Sequence, residues 1–155
     1  MNKFLKRAKK IIAEILYITI ATTSKDGQPW NSPVYSAFDQ EYNFFWISSP
    51  NSQHSRNIKE NSRVALVIYD SSVAEGTGEG VYIQAKADEL SNESEITHAL
   101  KYIYGRIGKS PRLASEYLNQ NPRRVYKAIP ERFWMNTDEK INGHHVDKRV
   151  EIKII

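Results

Sequence analysis

The chain has no cysteine among its 155 residues, so a disulfide framework, a thiolate metal site and a thiol nucleophile are excluded. It has no apolar run near the roughly 20 residues that a membrane helix needs. The basic N-terminus lacks the uninterrupted apolar stretch and small-residue cleavage site of a secretion signal. The Asn92-Glu93-Ser94 triplet therefore carries no glycosylation meaning, and a cytoplasmic location is expected. The polar stretch Ser48 to Asn57 lacks the Gly-Lys-Ser/Thr of a Walker loop, and "GTGEG" at 76–80 has the wrong spacing for a dinucleotide fingerprint. No repeat, low-complexity tract or linker divides the sequence, so one domain over residues 1–155 is expected.

Net charge is scarce outside the N-terminus. The net charge is +4, but residues 1–16 hold Lys3, Lys6, Arg7, Lys9 and Lys10 against Glu14. The remainder is balanced, which argues against a nucleic-acid surface. Between those lysines, Phe4, Leu5, Ala8, Ile11, Ile12, Ile15 and Leu16 recur at helical spacing, predicting a helix over about residues 2–16. It leads straight into a strand, so packing on the domain is expected and not a membrane surface.

What is present in quantity is β-sequence. "YITIATT", the Asp-Gly turn in "SKDGQ", "PWNSPVYSAF" and "NFFWISS" read as successive hairpin strands. The continuous apolar run Val64 to Ile68 suggests a strand buried on both faces. A Gly-rich loop over 71–80 and the alternating "VYIQAKADEL" follow. Residues 93 to about 120 read as one or two helices broken near Gly108 to Pro111, and "RVYKAI", "RFWMNTD" and "KRVEIKII" supply final strands. Successive hairpins with helices inserted late imply an α+β, mainly β domain, a closed or nearly closed antiparallel barrel with peripheral helices.

Between two strands, the chain crowds Ser48, Ser49, Asn51, Ser52, Gln53, His54, Ser55, Arg56 and Asn57 together. Ser52 suits an N-cap and Ile58 an inward position. Backbone N–H groups at a helix start, with hydroxyls, His54 and Arg56 around them, would cradle an anion such as a phosphate. A capped surface helix with solvated polar residues would give the same pattern, and the residues alone leave both open. His144 and His145 are adjacent and cannot share a metal as an i, i+4 pair would. No metal site is expected, and His98 reads as a surface or satisfied histidine. Trp30, Trp46 and Trp134 read as core or interface residues.

Taken in order, these segments resemble the FMN-binding split β-barrel superfamily, in particular the pyridoxamine 5′-phosphate oxidase-like proteins. "ATTSKDGQPWNSPVYSAFDQEYNFFWIS" is similar to the family's strand, Asp-Gly-x-Pro turn, Pro-Val strand and aromatic strand. "SQHSRNIKENSRVALVIYD" resembles its phosphate-gripping segment and next strand, and "YIQAKADEL" the strand after that. The resemblance implies an antiparallel split barrel that binds FMN at the interface of a homodimer. It puts Ile47, Ser48, Ser52, Gln53 and His54 along the flavin tail and phosphate, with Arg56 able to help. Asn31, Ser32, Pro33 and Val34 would line the ring edge, mainly through backbone groups, and Trp134 would reach the flavin of the partner subunit. His54 and Gln53 replace the family's usual Lys and Arg. Residues 135–152 lack the Arg-Leu-His-Asp-Arg type signature of the vitamin B6 oxidase itself. An FMN-dependent oxidoreductase acting on another small molecule is therefore expected. The alternative is a non-enzymatic barrel that binds flavin, deazaflavin or haem.

Overall fold

The computed structural model describes residues 3–154, so position 2 of the expected helix and the ends of the 1–155 domain lie outside the described residues. Helix α1 (Lys3–Glu14) precedes β1 (Tyr17–Thr23), β2 (Pro29–Tyr35), β3 (Ala37–Phe38) and β4 (Phe44–Ser48). Helix α2 (Gln53–Glu60), β5 (Arg63–Tyr69), β6 (Gly80–Glu89) and α3 (Glu93–Gly105) follow. A single 3-10 turn at Ala114–Tyr117 leads to β7 (Arg124–Asn136), the small hairpin β8 (Lys140–Ile141) and β9 (His144–His145), and β10 (Arg149–Ile152).

All pairings of the main sheet are antiparallel, in the order β2-β1-β5-β6-β7-β4-β3, with β10 also on β7. Its two ends, β2 and β3, are joined in the chain through Ser36 alone. The sheet must therefore curl until those ends meet, which makes it a barrel with its seam at Ser36. At that corner the Ser36 N–H donates to the Leu16 carbonyl at 3.0 Å, carrying the β1–β2 ladder one residue further.

Period-two alternation fills the interior. Ile18, Ile20, Leu66, Ile68, Val81, Ile83, Trp46, Tyr126, Ala128 and Met135 form one buried core. Ala8 and Ile12 of α1 are buried in it, with Phe4, Leu5, Ile11 and Ile15 packed alongside. The helix thus spends its apolar face on the barrel. No helix among the described residues is long and apolar enough to cross a membrane. A second core lies outside β4, where Phe45, Leu90, Ile96, Ala99, Leu100, Ile103, Tyr117 and Val125 gather beneath α3. Phe44, Phe45 and Trp46 are all buried because β4 lies between the two cores.

Two expectations change. Val64 to Ile68 alternates: Val64, Leu66 and Ile68 point inward, while Ala65 is exposed and Val67 half-buried on the outer face. "RVYKAI" and "RFWMNTD" are one strand, not two. The register slips between Gln84 and Ala85, which pair with Arg132 and Pro130. Glu131 is the extra residue of a bulge, and Pro130, with no N–H to offer the ladder, sits where the ladder breaks. The bend lets β7 serve β4 with its first half and β10 with its second.

Candidate functional site

The polar segment after β4 folds into the N-terminus of α2, seated against β1, β2 and β6 at one end of the barrel. Ile58 enters the barrel core. Beside it, the buried Asn57 donates to Thr22 Oγ1 at 2.9 Å and accepts from Gln53 Nε2 at 2.8 Å. These two contacts fix the rotation of the helix and aim its first turn toward the end of β4.

Ser52 is the N-cap, its hydroxyl accepting from the Ser55 N–H. It also contacts the Ser49 carbonyl at 3.0 Å and the Ser55 hydroxyl at 2.8 Å. His54 is 9% exposed, and its Nε2 stands 2.8 Å from Ser48 Oγ and 3.2 Å from Ser52 Oγ. Burial pulls the His54 pKa below its ordinary value, so the ring is neutral at pH 7. The backbone N–H groups of Gln53 and His54 have no acceptor among the described residues, as the first turn of a helix leaves them. Arg56 is exposed and lies over the rim, donating to the Asn51 carbonyl and, at 2.7 Å, to Gln53 Oε1.

The set therefore consists of hydroxyls, two free N–H groups, a neutral imidazole and one guanidinium. No carboxylate hydrogen-bonds to any of these donors among the described residues. This chemistry fits a phosphate, which needs donors and tolerates no competing anion.

Behind it lies a polar relay that the sequence did not suggest. Tyr126 stacks on Trp46 (centroids 5.7 Å apart) and donates to Glu89 Oε2 at 3.1 Å. Glu89 in turn pairs with Arg124 Nε at 3.2 Å. Burial, with the nearby Glu89 carboxylate, pushes the Tyr126 phenol up to about 12 despite a bond from Ser55. Arg124 is the cross-strand neighbour of Ser48, but its charge is spent on Glu89. Only the alternation of "RVYKAI" hinted that Tyr126 faces inward.

The other expected residues separate by face. On β2, Val34 is in the barrel core, Ser32 is half-buried and accepts from Trp30 Nε1 at 3.0 Å, and Asn31 and Pro33 face outward. The free edge of β2 has no strand partner, which leaves alternate backbone groups of 31–34 open. Ile47 packs on the second core under α3. Trp134 is on the outer sheet face with Arg132 4.7 Å above its ring. It lies ten residues beyond Arg124 along β7, roughly 30 Å at about 3.3 Å per residue. Within one chain the structure joins Ser48, Ser52, Gln53, His54 and Arg56, and leaves Trp134 apart. His144 and His145 are exposed in the β8-β9 hairpin, turned by Asn142 and Gly143 at positive φ.

The family model for pyridoxamine 5′-phosphate oxidase matches residues 4–137. The chain belongs to that family. No curated protein matches it significantly in sequence. Among solved structures it is similar to a putative 5-nitroimidazole antibiotic resistance protein from Bacteroides thetaiotaomicron, with TM-score 0.70, 16% identity, and coverage of 86% of this chain and 84% of that one. It is also similar to a haem-binding protein from Mycobacterium smegmatis, with TM-score 0.72, 17% identity, and coverage of 98% of this chain but only 58% of that longer one. An F420 reductase matches with TM-score 0.60, 19% identity, and coverage of 86% and 97%. At these identities the likeness speaks for the fold: the oxidase family's antiparallel split barrel, as the strand order requires.

Proposed function

We propose that this chain binds FMN between two copies of itself and works as a flavin-dependent oxidoreductase on a small molecule other than the vitamin B6 substrate. The observation that carries the reading is the donor-only cluster at the start of α2. Ser48, Ser52 and the free N–H groups of Gln53 and His54 bind the phosphate there, while Arg56 supplies the one permanent charge. His54, neutral and buried, orients the two hydroxyls. Asn31 and Pro33, with the open edge of β2, line the ring. FMN, when bound, supplies the redox chemistry, and the protein supplies placement and exclusion of water.

The outer face supports the dimer. Pro33, Thr19, Val67, Tyr82 and Trp134 stand in one row across five paired strands, and Ala65, Tyr69 and Tyr17 are exposed on the same face. A second copy covering this face explains why β5 is apolar on both sides. It also brings the partner's Trp134 to a cluster that this chain's own Trp134 cannot reach. A cytoplasmic location accords with this chemistry.

A second reading is favoured by the same cluster. Its one permanent cation, Arg56, already rests on Asn51 and Gln53, which leaves no uncommitted cation for the FMN phosphate and keeps open haem or a deazaflavin held without turnover. The absorbance spectrum of the purified full-length protein, with FMN and haem titrations and light scattering, decides between them. FMN binding by a dimer, and oxidation of a reduced nicotinamide with a nitro or quinone acceptor, are the expected results. A Soret band with no FMN affinity supports the second reading, and a monomer at micromolar concentration overturns the interface.

A further inference from the structure

Arg106, the residue that ends α3, is a cation without a counter-ion. Its Nη2 donates to three carbonyls of the α1 terminus, Ile12 at 3.2 Å, Ala13 at 3.0 Å and Ile15 at 2.8 Å. Its Nε and Nη1 have no acceptor among the described residues, and its guanidinium lies 5.4 Å over the Phe38 ring. No carboxylate pairs with it there. Burial pulls its pKa below the ordinary arginine value, and the one ionisable group that opposes this is the Tyr35 phenol. That phenol is itself pushed up by burial and has no hydrogen-bond partner among the described residues, so it is neutral at pH 7 and cannot compensate the charge. Helix capping explains Nη2. It does not explain a half-buried guanidinium that keeps its remaining N–H groups unpaired, because desolvated charge is costly without a partner.

Arg106 borders a groove of about 320 Å³ lined also by Ala13, Ala37, Phe38, Lys101, Tyr102 and Gly105. Lys101 and Gly105 share one face of α3 at i, i+4 spacing, so the Lys101 ammonium stands on the same wall. The groove thus has two cations, no lining acid, and walls of aromatic and methyl groups. Gly105 lines the groove, and a Cβ placed on it would meet nothing within 4 Å, so the space there is open.

We propose that this groove binds a small amphipathic carboxylate, an aromatic or branched aliphatic acid. Its carboxylate bridges Arg106 and Lys101, and its apolar body lies against Phe38 and Tyr102. The site is separate from the α2 cluster and does not depend on FMN. Both charge and shape select the ligand: the cations take the carboxylate, and the open space beside Gly105 admits the body.

The test is a titration of the full-length protein, with and without FMN, using benzoate as probe and benzamide as its neutral isostere, followed by NMR shifts or calorimetry. Benzoate should bind at least tenfold more tightly than benzamide. Lys101→Gln should weaken benzoate about tenfold, the scale of one charge-assisted contact. Gly105→Leu should abolish binding by filling the groove, while the FMN titration and Tm stay as in the wild type. The variants leave Arg106 in place because its loss would unseat α1. Equal affinity for the two probes, or unchanged benzoate affinity in Gly105→Leu, overturns the site. Neither result bears on the FMN reading, which is scored by its own titration.

Discussion

Two histidines at opposite ends of β4 have opposite surroundings. His98, on α3, is 52% exposed in its side chain and puts Nε2 3.2 Å from Asp39 Oδ2. Asp39 also accepts from the Asn43 N–H and Asn43 Nδ2, each at 2.9 Å, and from the Glu41 N–H at 3.0 Å. Burial would raise the Asp39 pKa, but these donors outweigh it and hold the carboxyl below its ordinary range. Everything around that acid is paired, and its work is to pin the turn between β3 and β4. His54, in contrast, is buried among hydroxyls with no acid beside it, at the mouth of a helix with two free N–H groups. The first region is complete by itself, whereas the second has donors left over. The contrast marks the α2 end as the place for an anionic ligand.

The comparison breaks most visibly at Asp39. Asp39→Ala should cost about 3 kcal/mol, because several buried donors lose their acceptor at once, and should leave the FMN dissociation constant unchanged. Chemical denaturation with a parallel FMN titration checks both. A large loss of FMN affinity in the still-folded variant would mean the two ends of β4 are not independent. Arg56→Ala should do the reverse. FMN binding should weaken by about 1.5–3 kcal/mol, the scale of a hydrogen bond to a charged group, with little change in Tm and none in riboflavin affinity. Equal losses for FMN and riboflavin would reduce the cluster to a capped helix. Asn57→Ala should fall between the two, costing about 1–2 kcal/mol of stability and weakening FMN secondarily, because it frees the rotation of α2 against Thr22.

The smallest effect is a pH slope. A buried His54 refuses the proton that the unfolded chain accepts, so stability is level above the ordinary value of 6.5 and falls as pH drops below it. Asp39 acts in a lower window. Its stabilising contribution is present above the ordinary value of 3.8 and is lost as pH falls further. His54→Gln should flatten the first arm alone and Asp39→Asn the second alone, both visible as Tm against pH. A first arm that survives in His54→Gln would assign it to another group.

The residues with local partners were legible in the sequence. The Ser52 cap, the inward Ile58, the Asp-Gly turn and the apolar stripe of α1 each depend on neighbours two to four positions away, which fixed helical and strand periods place in advance. The order of those elements suggested a closed or nearly closed barrel, and the family resemblance its split form. Legibility stopped where one periodicity fits several arrangements. The run Val64 to Ile68 reads as buried on both faces because both faces are apolar, but only the curl of the sheet decides which face the core takes. β7 reads as two strands because Pro130 interrupts the pattern, and only pairing with β6 turns that interruption into a bulge.

The sequence by itself determined the mainly β class, the amphipathic first helix and the donors gathered after β4, because these are properties of composition and short-range spacing. The tertiary structure alone decided that His54 is buried and neutral, that Arg124 is neutralised by Glu89, that Trp134 is too far away to meet the cluster of its own chain, and that Arg106 keeps unpaired N–H groups and borders an open groove. Each of these depends on contacts between residues tens of positions apart, and charge, burial and pairing exist only once the chain has brought such residues together.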